Sequence, residues 1–397
     1  MPGGRPVGAG DLSRRTVLGS ALVSGAALLA ACASGTAGGT PAPSAGEGTG
    51  DGGTLAAAPA GPILLTDQRG SVVTLPRPAR RIVTIPQPAA SILIAVDQSA
   101  DHLVGMQNAS WVAVRDGILG TIFPAALDVR HDVADDTFTP NVEAVLALQP
   151  DLVVQWGDQG SGIIAPLENA GLTVVGLKYG TQDDVTTWIS LFSRALGRGE
   201  RGEMLNIATD TAYQQVIAVG KARPAPKPTI LYINRFVGGL KVAGTGTYND
   251  AYIAMVGGQN PASGPGGTSG KGMVGVDPEQ VLAWDPDIVL LGNFDAALPR
   301  DLYGSAVWRG LAAVKDKRVY KVPLGGYRWD PPSHESPLMW RWLSMVAFPG
   351  QPTYDLRGDI VSSYGRLYGY QPSAAQLDSI LRTATNDGSA DYQQFHA

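Results

Sequence analysis

Only one cysteine occurs in these 397 residues, Cys32, and only four histidines, at positions 102, 131, 334 and 396. A single thiol excludes a disulfide framework and a thiolate metal site in the folded part. The histidines form no i, i+4 pair, which argues against a zinc site built by the protein itself. HExxH, a nucleophile elbow and a paired-carboxylate segment are all missing, so an enzyme reading lacks its chemical groups. Charge is also sparse, at 16% of residues with a formal net value of −5, which argues against a nucleic-acid partner. Two glycine-rich stretches fail on inspection. Residues 264–272, GPGGTSGKG, lack the spacing of a phosphate loop, and 244–249, GTGTYN, lack the third glycine of a dinucleotide fingerprint. A loop and a helix start capped by Asn249 or Asp250 explain both.

What is present begins with a targeting segment. Residues 13–18, SRRTVL, form a twin-arginine pattern, and an apolar run follows over 17–31. At about 15 residues that run is too short for a confident membrane span. It ends in Leu29-Ala30-Ala31-Cys32, which resembles a bacterial lipobox, in which Cys32 is lipidated and becomes the first mature residue. Removing 1–31 takes away three arginines and one aspartate, moving the formal charge from −5 to −7. Residues 32–61 are rich in Gly, Ala, Pro, Ser and Thr and read as a flexible tether. An exported chain without disulfides relies on its hydrophobic core, and this length can bury a sizeable one.

Beyond the tether the chain repeats itself. Segments 141–154, NVEAVLALQPDLVV, and 277–290, DPEQVLAWDPDIVL, agree at about half their positions at an offset of 136 residues. Each copy is preceded by a strand-like and then a helical stretch, RIVTIPQPAASILIAV in the first and TILYINRF with AYIAMVGG in the second. Between the copies, 199–222 carries Met204, Ala208, Ala212, Val216 and Val219 at helical spacing with no proline, and Gly202 as its only early weak point. This predicts about six turns of helix. The remaining pattern predicts a hairpin at 63–75 and strands at 81–85, 102–106, 151–155, 173–177, 229–233, 287–291 and 318–322, with an arm near 240–243. Short helices are predicted at 89–96, 142–148, 163–170, 183–196, 251–256 and 278–283, and residues 108–138 read as a polar irregular loop. The fold class is α/β: two similar lobes, each with a mainly parallel sheet, joined by one long helix. The expected boundaries are 62–182, linker helices 183–222, and 223–397. In the last part, 355–397 reads as two surface helices on the second lobe.

Four stretches carry a family resemblance: 78–86 (PARRIVTIP), the PNVEAVLALQPDLVV segment, the central helix, and the Trp-Asp-Pro-Pro-Ser…Ser-Pro-Leu run from Trp329. Over about 330 residues the chain resembles the substrate-binding lipoproteins of ABC importers for iron chelates, haem and vitamin B12. The resemblance implies two lobes on one helix, a ligand between them, no catalytic group and no resident cofactor. It also implies a monomer tethered to the outer face of a bacterial membrane, serving a permease dimer and its ATPase. An Fe(III)–siderophore is the expected ligand. Haem, B12 or molybdate, or a sensory lipoprotein without transport, stay as alternatives.

On such a frame the ligand-facing residues follow the C-terminal ends of strands. These are Gln87, Trp111, Trp156 and Tyr179 in the first lobe, and Arg235, Phe236, Asn293, Phe294, Tyr327, Arg328 and Trp329 in the second. Aromatic groups would cover the chelate, and Arg235 and Arg328 would pair with its anionic groups. Resemblance supports Trp156 and Trp111 in particular, and Trp156 and Trp329 are expected on facing walls. His334 is the one candidate for an axial haem ligand. Glu143 and Glu279 hold the same register in the two copies, each in the first turn of its helix. There a carboxylate can cap the helix, whereas the family implies docking on arginines of the two membrane subunits.

Overall fold

Parallel strands make up most of two separate sheets in the computed structural model, which describes residues 61–396 apart from 265, 269, 352 and 353. The targeting segment, Cys32 and all of the tether before Gly61 lie outside the described residues. A hairpin comes first, β1 (Ile63–Thr66) against β2 (Val72–Leu75). Then β3 (Ile82–Thr84), β4 (Leu103–Met106), β5 (Leu152–Trp156) and β6 (Val174–Leu177) form a parallel sheet in the order β4-β3-β5-β6. Strands β3, β5 and β6 are buried at every residue, as a sheet covered on both faces requires.

The second sheet holds β7 (Ile230–Arg235), β8 (Lys241–Ala243), β9 (Met273–Gly275), β10 (Ile288–Leu291) and β11 (Val319–Lys321) in the order β11-β10-β7-β8-β9. Its first three strands are parallel, and β8 and β9 form an antiparallel edge. Strand β9 was not expected; three residues, two of them exposed, leave little apolar signal.

The sequence repeat is a structural one. Helix Val142–Ala147 is followed by Gln149 at φ 46°, and helix Pro278–Trp284 by Asp285 at φ 41°. Proline and aspartate come next in both copies. Asp151 Oδ2 accepts from the Arg80 and Arg81 amides at 2.8 and 3.1 Å, and Asp287 Oδ2 from the Thr229 amide at 2.7 Å. Each aspartate thereby ties the start of its own strand to the start of the strand beside it. The cap of helix Tyr248–Met255 is neither Asn249 nor Asp250: Thr247 precedes the helix and accepts from the Asp250 amide.

The connecting helix Gly199–Lys221 spans 23 residues, roughly 34 Å. Its buried face is Gly202, Leu205, Thr209, Ala212, Val216 and Gly220, whereas Met204 is 42% exposed, so the apolar stripe is rotated from the one expected. Gly202 is a contact rather than a weakness. A Cβ there would overlap Ser193 of helix Gln182–Ala195, and one at Gly220 would overlap the Met255 carbonyl.

Two expectations need correction. Residues 108–138 are not irregular throughout: helices Asn108–Asp116 and Leu119–Ile122 and a 3-10 turn Pro124–Leu127 bury Val114, Leu119 and Ala126. Gly117 and Pro124 cut the apolar pattern into pieces too short to read. The C-terminal part does not rest on the second lobe alone. Helix Leu356–Tyr368 packs on helix Ser336–Ala347 and also on helix Ala89–Asp97 of the first lobe. Arg201 of the connecting helix seals that junction, donating to the Ala95 and Val96 carbonyls at 2.7 Å and to those of Arg366 and Leu367 at 3.0 Å. The lobes are therefore joined by the one connecting helix and also touch through helix Leu356–Tyr368.

Candidate functional site

Strand ends from both sheets converge on a cavity of about 300 Å³. From the first lobe come Gln87 beyond β3, Trp156 at the end of β5, and Tyr179 beyond β6. From the second come Phe294 beyond β10 and Tyr327 beyond β11. These five were among the expected ligand-facing residues. The lobes also touch directly around the cavity. Tyr179 Oη donates to the Pro332 carbonyl at 2.5 Å, Gln182 Nε2 to Ser333 O at 3.3 Å, and the Ile118 amide to Gly325 O at 3.1 Å.

The lining is mostly aromatic. Trp156 is 5% exposed, with Phe138 edge-on to it at 5.5 Å and Tyr179 tilted at 6.0 Å. Burial pushes the phenols of Tyr179 and Tyr327 up. Among the described residues no group of three His, Cys, Asp or Glu side chains could hold a metal ion. Two nitrogens stand out. Trp156 Nε1 and Arg328 Nη1 are both buried and have no hydrogen-bond partner among the described residues. Arg328 lies over the Phe294 ring at 4.8 Å and 5.7 Å from the Tyr327 ring, beside the cavity rather than lining it. A buried donor is stabilised by an acceptor, and a ligand oxygen could supply one to either group.

Five expected ligand-facing residues lie elsewhere. Trp329 is fully buried and donates through Nε1 to Glu335 Oε2 at 2.6 Å, so it does not face Trp156 across the cleft. Trp111 sits on a helix, donates to the Leu127 carbonyl at 2.9 Å and stacks on His131 at 4.5 Å. Phe236 packs on Trp308 at 5.9 Å in the second lobe's own core. Arg235 is exposed on the rim, 5.9 Å from the Phe294 ring. Asn293 is taken up by Asp330, which accepts from its amide at 3.0 Å and its Nδ2 at 2.8 Å. His334 is no axial ligand for the cleft. It is 4% exposed, its Nε2 meets Tyr368 Oη at 2.6 Å, and burial holds its pKa down at about 3.

Sequence reading missed Pro88, Phe138, Asp158, Gln159 and Pro331 in the lining. Asp158 and Gln159 sit just past Trp156, where the strand-end rule could have found them. Phe138 carried no such signal. It sits at φ 64°, an unusual backbone for a bulky side chain, with its carbonyl held by Gln155 Nε2 at 3.0 Å.

A larger open groove of about 1250 Å³ runs along the connecting helix, past Asn206, Asp210, Tyr213, Tyr248 and Trp340. Helix flanks form most of it, whereas the smaller cavity gathers strand ends from both lobes. The smaller cavity is the candidate site on that ground.

Glu143 and Glu279 are exposed, and neither side chain makes a hydrogen bond among the described residues. Asn141 caps the first helix through the Ala144 amide at 3.2 Å, so Glu143 does not serve as its cap.

Comparison with known proteins agrees with the two-lobed fold. Residues 90–324 match the model of a family described as periplasmic binding protein. A solved periplasmic solute binding protein from Veillonella parvula is 32% identical, with a TM-score of 0.75, covering 82% of this chain and 98% of that one. The molybdate-binding protein MolA of Haemophilus influenzae is 22% identical over 266 residues, 60% of this chain and 74% of its own length. A cobalamin-binding protein of Halobacterium salinarum is 27% identical over 211 residues, 51% of this chain and 55% of its own length.

Proposed function

The chain belongs to the periplasmic binding protein family, whose members are non-enzymatic substrate-binding components of ABC transporters, and on that premise we propose that it captures an anionic Fe(III) chelate of the siderophore kind in the cavity between its lobes. The observation that carries the choice of an anion is the pair of unpartnered donors, Trp156 Nε1 from one lobe and Arg328 Nη1 from the other. Charge-assisted hydrogen bonds to both, with aromatic cover from Phe138, Tyr179 and Phe294, suit a compact anionic complex. A second reading, molybdate, draws on the cavity's volume of about 300 Å³, at the small end for ligand sites, and on the molybdate-binding relative.

Delivery would place Glu143 and Glu279 against basic residues of the two permease subunits, one contact per lobe. Lipidation at Cys32 would hold the receptor at the outer face of the membrane. Among the described residues no helix is long and apolar enough to cross a membrane.

Tryptophan-fluorescence titration with a ferric tris-catecholate, haemin, cobalamin and molybdate tests the assignment. The ferric complex should quench the emission, because Trp156 lies in the cavity wall. A response to molybdate alone would move the assignment to the second reading. No response to any of the four would contradict binding at this cavity.

A further inference from the structure

Loop 323–335 brings Tyr327 to the cavity wall and Arg328 beside it, and its shape rests on one buried carboxylate. Glu335 is 1% exposed. Its Oε1 accepts from the Gly326 amide at 2.9 Å and from Tyr368 Oη at 2.5 Å. Its Oε2 accepts from Trp329 Nε1 at 2.6 Å and from Tyr364 Oη at 3.4 Å. No cation is among these four donors. Two of them, Gly326 and Trp329, flank Tyr327 and Arg328, and the other two belong to helix Leu356–Tyr368. The turn closes on itself through the Gly325 amide and the Tyr327 carbonyl at 3.1 Å, and Leu324 bridges Arg328 antiparallel.

Two glycines let the carboxylate come this close. A Cβ at Gly325 would overlap Glu335 Oε2, and one at Gly326 would overlap Tyr368 Oη. The Gly325 carbonyl meanwhile accepts the Ile118 amide of the first lobe at 3.1 Å. One short turn thus connects the carboxylate, the cavity and the opposite lobe.

We propose that Glu335 is the positioning residue of the cleft, its two oxygens fixing the Gly325–Trp329 turn so that Tyr327 and Arg328 are presented to the ligand from a set geometry. A carboxylate is the fitting group because four converging donors need two acceptor oxygens, and an amide has only one. An isosteric amide would turn its own N–H₂ toward a donor, either Trp329 Nε1 or the Gly326 amide. The turn would then loosen without loss of the surrounding core. Ordering it before the ligand arrives lowers the entropy that binding must overcome. The inference rests on the cleft being the ligand site.

The test uses the full folded chain with Glu335→Gln and Glu335→Asp, the aspartate keeping two oxygens on a shorter arm. Hydrogen exchange at the Gly326–Arg328 amides is measured beside the melting temperature, and affinity is measured for ferric tris-catecholate and for molybdate. Glu335→Gln should melt close to the wild type, exchange faster at those amides, and bind whichever probe the wild type binds about tenfold more weakly or worse. Glu335→Asp should fall between, and it carries the test if the glutamine variant does not fold. Wild-type exchange at the turn, or unchanged affinity despite faster exchange, overturns the proposal. So does affinity that falls only as the folded fraction falls. If the wild type binds neither probe, the siderophore and molybdate readings fail separately. Exchange then judges the turn alone, and wild-type protection in Glu335→Gln still overturns its ordering by the carboxylate.

Discussion

Trp156→Phe and Arg328→Ala should each weaken binding of the anionic ligand by about tenfold or more, and together by about a hundredfold or more. Trp156→Phe removes one buried donor that has no protein acceptor, Arg328→Ala removes another together with the guanidinium charge, and a hydrogen bond to a charged group contributes about 1.5–3 kcal/mol. Every 1.4 kcal/mol is roughly a factor of ten in affinity. The donors come from different lobes, so their effects should add in free energy. Phenylalanine keeps most of the ring that packs on Phe138, Tyr179 and Trp188, so Trp156→Phe tests the N–H rather than the core. Trp156→Phe should melt near the wild type, whereas Arg328→Ala also gives up the ring contacts with Phe294 and Tyr327, so its affinity is read beside its melting temperature. Calorimetric titration beside thermal denaturation reads both quantities. Unchanged affinity in the double variant would remove these groups from the site.

The double variant Glu143→Arg, Glu279→Arg should keep ligand affinity and abolish uptake in cells that depend on the transporter. Both carboxylates are exposed and without hydrogen-bond partners among the described residues, on helices that repeat the same geometry in the two lobes. Reversing them would set like charges across the interface, which slows encounter and disfavours the complex. Single changes should give partial loss, since the other lobe still anchors. Helix capping is the competing role, and Asn141 already fills it in the first copy. A capping role predicts lower melting temperatures, with uptake reduced only in proportion to folded protein. Normal uptake by the folded double variant would refute docking at these residues.

Much of this frame was readable because its signals are local. The Glu-x-Val-Leu-Ala repeat, followed by Pro-Asp and a β-branched strand, encodes helix, turn and buried strand within 14 residues, and both copies fold that way. Residues that end or closely follow strands, such as Trp156, Tyr179 and Phe294, could be placed at the cavity because parallel strands point their C-terminal ends there. That rule gives position along the chain but not the direction of a side chain. Tyr327 and Trp329 lie two residues apart on one turn; the first reaches the cavity, and the second points inward to a carboxylate six residues on. The aromatic–aromatic contact of Phe138 with Trp156 and the reach of helix Leu356–Tyr368 to the first lobe depend on long-range packing, which no local periodicity encodes. Gly202 shows the same limit. Locally it is a poor helix residue, and only the facing Ser193 makes its lack of a side chain necessary.

Anomalous diffraction at the iron edge, from crystals soaked with ferric tris-catecholate, tests the central claim most directly. One iron peak is expected between Trp156 and Phe294, with chelate oxygens within hydrogen-bond reach of Trp156 Nε1 and of Arg328. An iron peak in the groove along the connecting helix, or density in the cavity that leaves both donors unmet, would contradict it.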